Sequence, residues 1–253
     1  MQLSYSKIST FLDCGWRYRL RYVSKVPSKP KPYFRFGSVL HSVLGRFYLY
    51  PGEGKPSLEY MLSLYDELWP RADGKPQTNR ETGEQILREY YDRNIADWRP
   101  PMYAECVFNV PIGRHSLTGV FDRVDRHEDG RIEVMDYKAQ RRVPSQEEMD
   151  GDLQLSLYAL AFEEMAGTVP DQLSIYHLRE NRKLSTVRTS EQLSEVRETV
   201  LGIGDRIFNR RGFVPRENRE CKWCDYVDYC PLKTDEPLEA PMPAFQMEME
   251  LMT

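Results

Sequence analysis

GVFDRVDRHEDGRIEVMDYK, residues 119–138, is the stretch of the sequence that decides the fold. Apolar and polar residues alternate at 116–125 and again at 131–137, with the period of two that is typical of β-strands. The pair Asp129-Gly130 between these segments is a strong signal for a tight hairpin turn. The stretch therefore predicts two antiparallel strands that lie side by side in one sheet.

The predicted hairpin brings charged side chains together. Residues two apart in a strand share a face, so Asp136 and Lys138 point the same way from an otherwise apolar face. The turn puts Asp122 nearly opposite Asp136, and neighbouring carboxylates repel each other unless a cation lies between them. Mg²⁺ takes carboxylate oxygens, and a nearby amine can stabilise charge on a phosphate. The alternative is a simple ion pair between Lys138 and Asp136 on an exposed sheet face.

Helical and strand patterns flank the hairpin on both sides. The periodicity predicts helices at 4–13, 36–50, 57–68, 80–98, 152–166 and 191–209, and further strands at 105–110 and 173–178. Loops are predicted at 24–32 and 72–78, and a flexible tail from residue 234 onward. This order of elements predicts an α/β fold with a mixed central sheet flanked by helices.

The composition indicates a folded chain whose basic residues are concentrated in one region. The 253 residues are 40% hydrophobic and 29% charged, with a formal net charge of −4. A general coat for nucleic acid would be basic, so any contact with DNA must be local. Between Lys7 and Phe36, eight Lys and Arg residues and seven aromatic residues accompany one acid, Asp13. This pattern suits single-stranded DNA, or else a solvated basic face whose aromatics are in the core.

Cysteine usage and hydropathy bear on the compartment. No apolar run approaches the roughly 18–20 residues that a membrane span needs, and the first residues lack the apolar block of a secretory signal. The cysteine count of five is odd, which argues against a disulfide framework. We therefore expect a cytoplasmic protein that has no membrane partner.

Three of the cysteines form a compact motif, Cys221-x2-Cys224-x5-Cys230, followed by a proline. Three thiols within ten residues indicate a metal or cluster site, and such a site needs a fourth ligand. Cys106 lies in a predicted strand, where we expect it to be buried, and Cys14 follows the first predicted helix. From the residues alone, zinc and an iron–sulfur cluster remain equal alternatives.

Two further features are weaker when taken singly. His41 lies in the predicted helix 36–50 with Gly37 and Gly45 one turn away on either side, and small neighbours allow a close approach to this histidine. Gln154 and Tyr158 are four residues apart on a helix, so both can reach one substrate. The alternatives are a packed histidine and an ordinary polar flank of a helix.

Taken in order, these motifs resemble the RecB-type branch of the PD-(D/E)XK nucleases, which includes AddB nuclease domains and CRISPR-adaptation exonucleases. The resemblance covers about residues 4–231. It implies a restriction-endonuclease-like core in a single nuclease domain, residues 1–233, in which 1–36 and 210–233 form a cluster-bearing part. The matching segments are Gly37-Ser-Val-Leu-His41, Gly119-Val-Phe-Asp122-Arg-Val-Asp125, Asp136-Tyr-Lys138, Gln154-Leu-Ser-Leu-Tyr158 and the cysteine motif.

The resemblance also implies roles for individual residues. Mg²⁺ or Mn²⁺ would be held by His41, Asp122, Asp136 and the Tyr137 carbonyl, with Lys138 as the catalytic lysine. Gln154 and Tyr158 would contact or orient DNA near the metal. The basic aromatic region, apart from the resemblance, makes Arg17 and Arg21 further candidates for binding DNA. Cys14, Cys221, Cys224 and Cys230 would hold a 4Fe–4S cluster that joins the N- and C-terminal segments. Ala139 stands where the family commonly has Thr, and Phe121 replaces the proline of the family name.

The function that these motifs predict is a metal-dependent DNA exonuclease acting on single strands or DNA ends. Recombination, repair, phage replication and CRISPR adaptation are all open as its process, and a helicase or another DNA-processing protein is a candidate partner. The first alternative is a non-catalytic iron–sulfur DNA-binding subunit, against which Asp122, Asp136 and Lys138 argue. The second is a structural zinc protein with an unrelated α/β core.

Overall fold

The computed structural model describes residues 1–29, 32–69 and 80–239, with side chains from 36 onward after the first gap. Contacts divide the chain into two compact units. The first unit comprises Met1–Pro30, Pro111–Thr118 and Arg197–Thr253, and the second comprises Lys31–Val110 and Gly119–Val196. The single domain expected for residues 1–233 remains a prediction.

The strands in the described residues are β1 (Gln2–Leu3), β2 (Tyr103–Ile112), β3 (His115–Arg126), β4 (Ile132–Lys138), β5 (Gln172–His177) and β6 (Arg182–Thr186). Strands β3 and β4 are antiparallel, β4 and β5 are parallel, and β5 and β6 are antiparallel, while β2 pairs with β3 and β1 lies parallel to the start of β3. The fold is therefore α/β with a mixed central sheet, as predicted.

The helices begin where polar side chains cap them. Ser4 accepts from Lys7 N–H at the first helix, and Asp152 accepts from Leu155 N–H further along the chain. The helices are α1 (Tyr5–Asp13), α2 (Gly15–Tyr18), α3 (Pro32–Tyr48), α4 (Leu58–Leu68), α5 (Arg80–Asn94), α6 (Gln146–Asp150), α7 (Leu153–Ala166) and α8 (Ser190–Phe208). A π-helical turn follows α2 at Arg19–Val23, and 3-10 turns lie at Leu178–Glu180, Arg219–Trp223 and Val227–Tyr229.

Helices cover both faces of the sheet in the second unit. Helices α3, α4 and α5 share one hydrophobic core with Met135, Tyr137 and Tyr176 of β4 and β5. Side chains alternate along β4, so Asp136 lies on the opposite face. There it contacts α7, which buries every residue from Leu155 to Phe162. A helix that is apolar all round in this way belongs between layers rather than at a surface.

A buried charged network ties four elements of the second unit together. The Arg123 guanidinium pairs with Asp125 at 2.6 Å and lies 3.8 Å from the centre of the Tyr48 ring. The hydroxyl groups of Tyr48 and Tyr90 are 2.9 Å apart, and those of Tyr90 and Tyr137 are 3.1 Å apart. This chain of contacts links α3, α5, β3 and β4, and a buried charge needs such partners.

In the first unit, α1 and α2 pack closely against the segment that follows α8. The Phe11 ring meets Tyr18 and Phe213 edge to face or nearly so, with centroids 5.6 Å and 6.3 Å away. The indole N–H of Trp16 donates to the Tyr229 carbonyl at 2.8 Å. The backbones also approach closely, since a Cβ on Gly15 would lie 1.8 Å from the carbonyl oxygen of Gly212.

The main predicted helices and strands are confirmed to within a few residues, apart from the bounds of two helices. Helix α3 begins at Pro32, because proline is favoured in a first helical turn. Helix α5 ends at Asn94, whose side-chain amide donates to the Tyr90 carbonyl and to Tyr176. Strand β6, RKLST, was not predicted because its charged edge sequence lacks a clear alternation.

Some expectations fall partly or wholly outside the described residues. The loop predicted at 72–78 lies outside them, as do residues 30–31 of the loop at 24–32. Of the predicted tail, residues 234–239 are described and contain no helix or strand. Within the described ranges, no helix has both the length and the apolar sequence needed to cross a bilayer.

We expect Gly15→Ala to lower the free energy of unfolding by about 1–3 kcal/mol, because the new methyl group overlaps the Gly212 carbonyl and one backbone must move. Urea unfolding followed by circular dichroism measures the change. Gly202→Ala in α8 is the matched control, since a Cβ there meets no atom within 4 Å. The control should be neutral or more stable by up to about 1 kcal/mol, and equal effects of the two substitutions would contradict the prediction.

Candidate active site

Asp122 is held at the point where β3 and β4 stop pairing. The ladder pairs Arg123 with Met135, and one further step would pair Asp122 with Asp136. At that step Asp122 Oδ2 accepts a hydrogen bond from the Tyr137 backbone N–H at 2.8 Å. A side-chain carboxylate thus serves as the acceptor for β4, which fixes Asp122 beside the strand that carries Asp136 and Lys138.

Asp136 and Lys138 form an ion pair, and Gln154 of α7 makes a hydrogen bond to each of them. Lys138 Nζ lies 2.8 Å from Asp136 Oδ2 and donates to Gln154 Oε1 at 2.7 Å. The Gln154 amide nitrogen donates to Asp136 Oδ1 at 3.0 Å and to the Tyr158 hydroxyl at 2.9 Å. Gln154 and Tyr158 therefore reach the same carboxylate, and the structure brings these four predicted site residues together.

The Asp136 carboxyl is poorly stabilised in its charged form. Burial raises the pKa of Asp136 to about 6, the Lys138 ammonium opposes this rise, and the Asp122 carboxylate adds to it. Asp136 Oδ2 is buried, and although it lies near Lys138 it accepts no hydrogen bond of good geometry from any described residue. A buried carboxylate oxygen in this state is suited to contact with a cation.

His41 approaches from α3. Its Nδ1 lies 3.2 Å from Asp122 Oδ2, and its ring meets the Tyr137 ring edge to face at 6.0 Å. Burial disfavours the imidazolium, but the hydrogen bond and the negative charge of Asp122 outweigh it and raise the pKa of His41. A divalent ion would have to compete with this proton, because only neutral imidazole binds metal.

Glu105 is a site residue that the sequence did not reveal. A Cβ on Gly45 would lie 2.3 Å from Glu105 Cγ, so this glutamate occupies the space that the small neighbour of His41 leaves open. Partial burial and the nearby Asp122 charge raise the pKa of Glu105. Its backbone φ of 47° is left-handed, a costly conformation for a glutamate that tends to occur at functional sites. In the sequence, Gly45 of α3 was the signal that some group approaches this part of the helix closely, but it did not identify Glu105.

The side chains as they stand do not form a closed metal site. No group of three or more His, Cys, Asp and Glu residues within the described ranges is placed to hold a metal ion. Lys138 and Gln154 instead contact Asp136. The carboxylates of this group nevertheless match the oxygen ligands that Mg²⁺ and Mn²⁺ prefer. Ion binding would require Lys138 to move away from Asp136 Oδ2.

The basic aromatic region lies in the first unit as far as Lys29, and its side chains there divide into two parts. Phe11 and Tyr18 are buried in the core, as the alternative interpretation predicted. Arg17 pairs with Asp13 at 2.7 Å. Arg21 is exposed, with its guanidinium 5.2 Å from the centre of the Tyr22 ring. A role of Arg17 and Arg21 in contacting DNA therefore stays a prediction.

The four cysteines assigned together line one cavity of about 30 Å³ in the first unit. Backbone N–H groups point at two of the sulfur atoms, from Arg17 and Arg216 to Cys14 at 3.5 Å and from Asn218 to Cys221 at 3.3 Å. Burial and the neighbouring Cys14 and Cys221 raise the pKa of the Cys224 thiol. The cysteines are all free thiols, Cys230 included, and they converge without forming a closed metal site among the described residues.

The fifth cysteine stands apart. Cys106 lies in β2, as predicted, and within the second unit. It is half-buried, so the expectation of a buried thiol was wrong. The alternation along β2 puts Cys106 on the same side as Phe108 and Val110, but it is the least buried of the three.

Comparison with known proteins places the chain among nucleases. The sequence profile described as the PD-(D/E)XK nuclease superfamily matches residues 2–231. No curated protein sequence matches the chain. A crystal structure from Eubacterium rectale, named "Putative exonuclease", covers 97% of this chain and 92% of its own, with 14% identity and a TM-score of 0.55. The structure of SSO0001 covers 92% and 87%, with 13% identity and a TM-score of 0.43. The likeness to the Eubacterium rectale structure shows the fold.

We expect Asp136→Asn to be more stable than the wild type above about pH 6 in the absence of divalent ions. Because the folded protein holds the Asp136 proton up to about pH 6, the stability that this carboxyl contributes is full below about pH 4 and is lost as the pH rises to 6. The substitution should therefore raise the free energy of unfolding at neutral pH by on the order of 1–3 kcal/mol, with no gain at acidic pH. Urea unfolding at several pH values measures it.

Asp129→Asn is the control for this series. A hydrogen bond from Arg131 lowers the pKa of Asp129, so its removal should cost stability at neutral pH instead of adding it. If the free energies of unfolding of the wild type and of Asp136→Asn changed in parallel between pH 4 and pH 7, the prediction would be contradicted.

Proposed function

The chain belongs to the PD-(D/E)XK nuclease superfamily, and on this premise we propose that it is a metal-dependent DNA exonuclease. Its reaction is the hydrolysis of phosphodiester bonds in single-stranded DNA or at DNA ends. One observation carries the proposal: two carboxylates on adjoining strands meet an amine on the same strand and a histidine from α3. The name of the Eubacterium rectale protein agrees with an exonuclease.

His41, Asp122 and Asp136 are the proposed ligands of Mg²⁺ or Mn²⁺, together with the Tyr137 carbonyl. The buried Asp136 Oδ2, which lacks a hydrogen bond from the described residues, supports this assignment. When bound, the divalent ion supplies an activated water and stabilises negative charge on the phosphate. Glu105 adds a further carboxylate beside His41 and Asp122, and we include it among the residues that shape this site.

Lys138 is the proposed catalytic lysine. Burial disfavours its charged form, but Asp136 outweighs this effect and raises the pKa of Lys138, so the amine is an ammonium at neutral pH. An ammonium stabilises the charge that develops on a phosphate during hydrolysis. Gln154 holds the Lys138 amine through its amide oxygen, and Tyr158 supports Gln154. Both residues of α7 would also orient the DNA strand, while Arg17 and Arg21 would bind its phosphates.

The cysteine cavity is the proposed site of a 4Fe–4S cluster held by Cys14, Cys221, Cys224 and Cys230. The thiols converge on one cavity, and backbone N–H groups point at two of the sulfur atoms, as suits thiolate ligands. The cluster would join segments more than 200 residues apart, and closing so long a loop restricts the unfolded chain. We propose that it is structural and supports DNA binding, while hydrolysis occurs at the divalent ion.

The biological setting is proposed more broadly. Recombination, repair, phage replication and CRISPR adaptation all need an enzyme that trims DNA, and a helicase would supply single strands to it. Free thiols at a cluster site suit the reducing cytoplasm. The competing function is a non-catalytic iron–sulfur DNA-binding subunit. The Lys138–Asp136 ion pair favours it, because Lys138 lies at the carboxylate oxygen that a divalent ion would need, whereas the presence of Asp122, Asp136 and Lys138 in one place argues for hydrolysis.

A nuclease assay with labelled single-stranded DNA and Mn²⁺ distinguishes these functions. We expect the wild type to degrade the strand, and Asp136→Ala and Lys138→Ala each to lose about 100-fold or more of the rate, since each removes a group that stabilises charge in the reaction. Asp129→Ala, in the exposed hairpin turn, is the matched control and should retain the rate. DNA binding without any cleavage by the wild type would instead establish the non-catalytic subunit.

Metal analysis of the anaerobically purified protein tests the cluster. We expect iron and inorganic sulfide in equal amounts and a brown colour, both lost in Cys221→Ala together with tight DNA binding, because a cubane cluster needs all four thiolates. Cys106→Ala in β2 should keep the iron. Zinc in place of iron would assign the site to that metal, and a folded, fully active Cys221→Ala protein without iron would reject the structural role.

A further inference from the structure

Arg188 is a buried cation that no role proposed so far accounts for. Only 6% of its surface is exposed, and among the arginines whose side chains are described Arg123 alone is similarly buried. All five N–H groups of its guanidinium donate hydrogen bonds, which is the full capacity of an arginine. The acceptors are Ser156 Oγ, Thr186 Oγ1 and the carbonyls of Met149, Asp152 and Val187, at distances of 2.8–3.2 Å.

These bonds meet at the corner between α6 and α7. The Met149 carbonyl belongs to the last turn of α6, and Asp152 is the N-cap of α7. One guanidinium nitrogen of Arg188 bonds both carbonyls, at 3.0 Å and 3.2 Å. The Ser156 hydroxyl accepts from Arg188 and donates to the same Asp152 carbonyl at 2.8 Å. Arg188 thus fixes where α7 begins.

Two residues beyond Asp152 comes Gln154, whose amide makes three hydrogen bonds in the candidate active site. Its oxygen accepts from Lys138, and its nitrogen donates to Asp136 and Tyr158. Gln154 is the second residue of α7, so its side-chain amide moves with the first turn of the helix. Its three hydrogen bonds therefore depend on the position of that turn. Only two residues of chain separate the Asp152 carbonyl, which Arg188 bonds, from Gln154 in the candidate active site.

We propose that Arg188 is a positioning residue of the hydrolytic site, which acts by holding the first turn of α7 so that Gln154 orients Lys138 and Asp136. This rests on the proposed function in its catalytic part. Arg188 does not contact the reacting groups, and its effect passes through Gln154. Lysine cannot replace it, because an ammonium has three N–H donors on a single nitrogen, whereas the five acceptors around Arg188 are bonded by three different nitrogens.

The Gln154 side-chain amide reports the position of this turn without any catalysis. Its NMR signals in the ¹⁵N-labelled protein are identified as the pair that is missing in Gln154→Ala. In the wild type both N–H groups are bonded, so their exchange with water should be slow. In Arg188→Ala and Arg188→Lys we expect the pair to move towards the shifts of exposed amides and to exchange faster. Arg142→Ala, which removes an exposed ion pair with Glu148 on α6, is the control and should leave the pair in place.

Rates of single-stranded DNA hydrolysis test the catalytic consequence in a double-mutant cycle. We expect Arg188→Ala to lower kcat by about 10-fold with little change in KM, because misplaced groups cost rate more than substrate binding. In the Gln154→Ala background the same substitution should cost less than about twofold, since the residue through which it acts is already gone. Arg188→Lys provides the same comparison if Arg188→Ala does not fold.

The two measurements have separate outcomes. Gln154 signals that stay unchanged in both Arg188 variants would overturn the proposal, whatever the rates are. An equal loss of kcat in both backgrounds would also overturn it, because a merely structural arginine lowers activity independently of Gln154. A wild type that does not hydrolyse DNA refutes the proposed function, and the NMR signals then decide on their own whether Arg188 positions Gln154.

Discussion

The hydrogen bond from the Tyr137 backbone N–H to the Asp122 carboxylate is the contact on which the candidate site depends. Tyr137 stands between Asp136 and Lys138 in the sequence, so one peptide group relates Asp122 to both. Buried carboxylates are costly unless hydrogen bonds or opposite charges surround them. Lys138, His41 and Gln154 supply that surrounding, and each comes from a different part of the second unit.

The same two strands serve the site with one side and the core with the other. Asp122 and Asp136 face the site, whereas Arg123 and Tyr137, their neighbours in sequence, meet in the buried tyrosine network. A polar core network of this kind is worth keeping only if every member finds a partner. This network limits the movement of the strands that carry the two carboxylates. The core face of the sheet therefore helps to position the site, together with the hydrogen bonds among the site residues themselves.

The hairpin and the grouping of Asp122, Asp136 and Lys138 were predictable, because strand alternation and turn chemistry depend on neighbouring residues. Glu105 and Arg188 could not be found in this way. The approach of Glu105 to Gly45, and the Arg188 acceptors on Met149, Asp152 and Ser156, join segments far apart in sequence. The aromatics of the basic region were ambiguous for a similar reason, since only packing decides that Phe11 and Tyr18 are buried.

The backbone crossing of Gly15 and Gly212 has a consequence for biosynthesis. The ribosome makes α1 and α2 before the second unit and their partner segment, with Phe213, after it. Until then the Phe11 ring lacks one side of its packing, and exposed apolar surface on a nascent chain invites aggregation or chaperone binding. The first unit is thus completed only after the second has been translated in full, which makes it the later-maturing part of the protein.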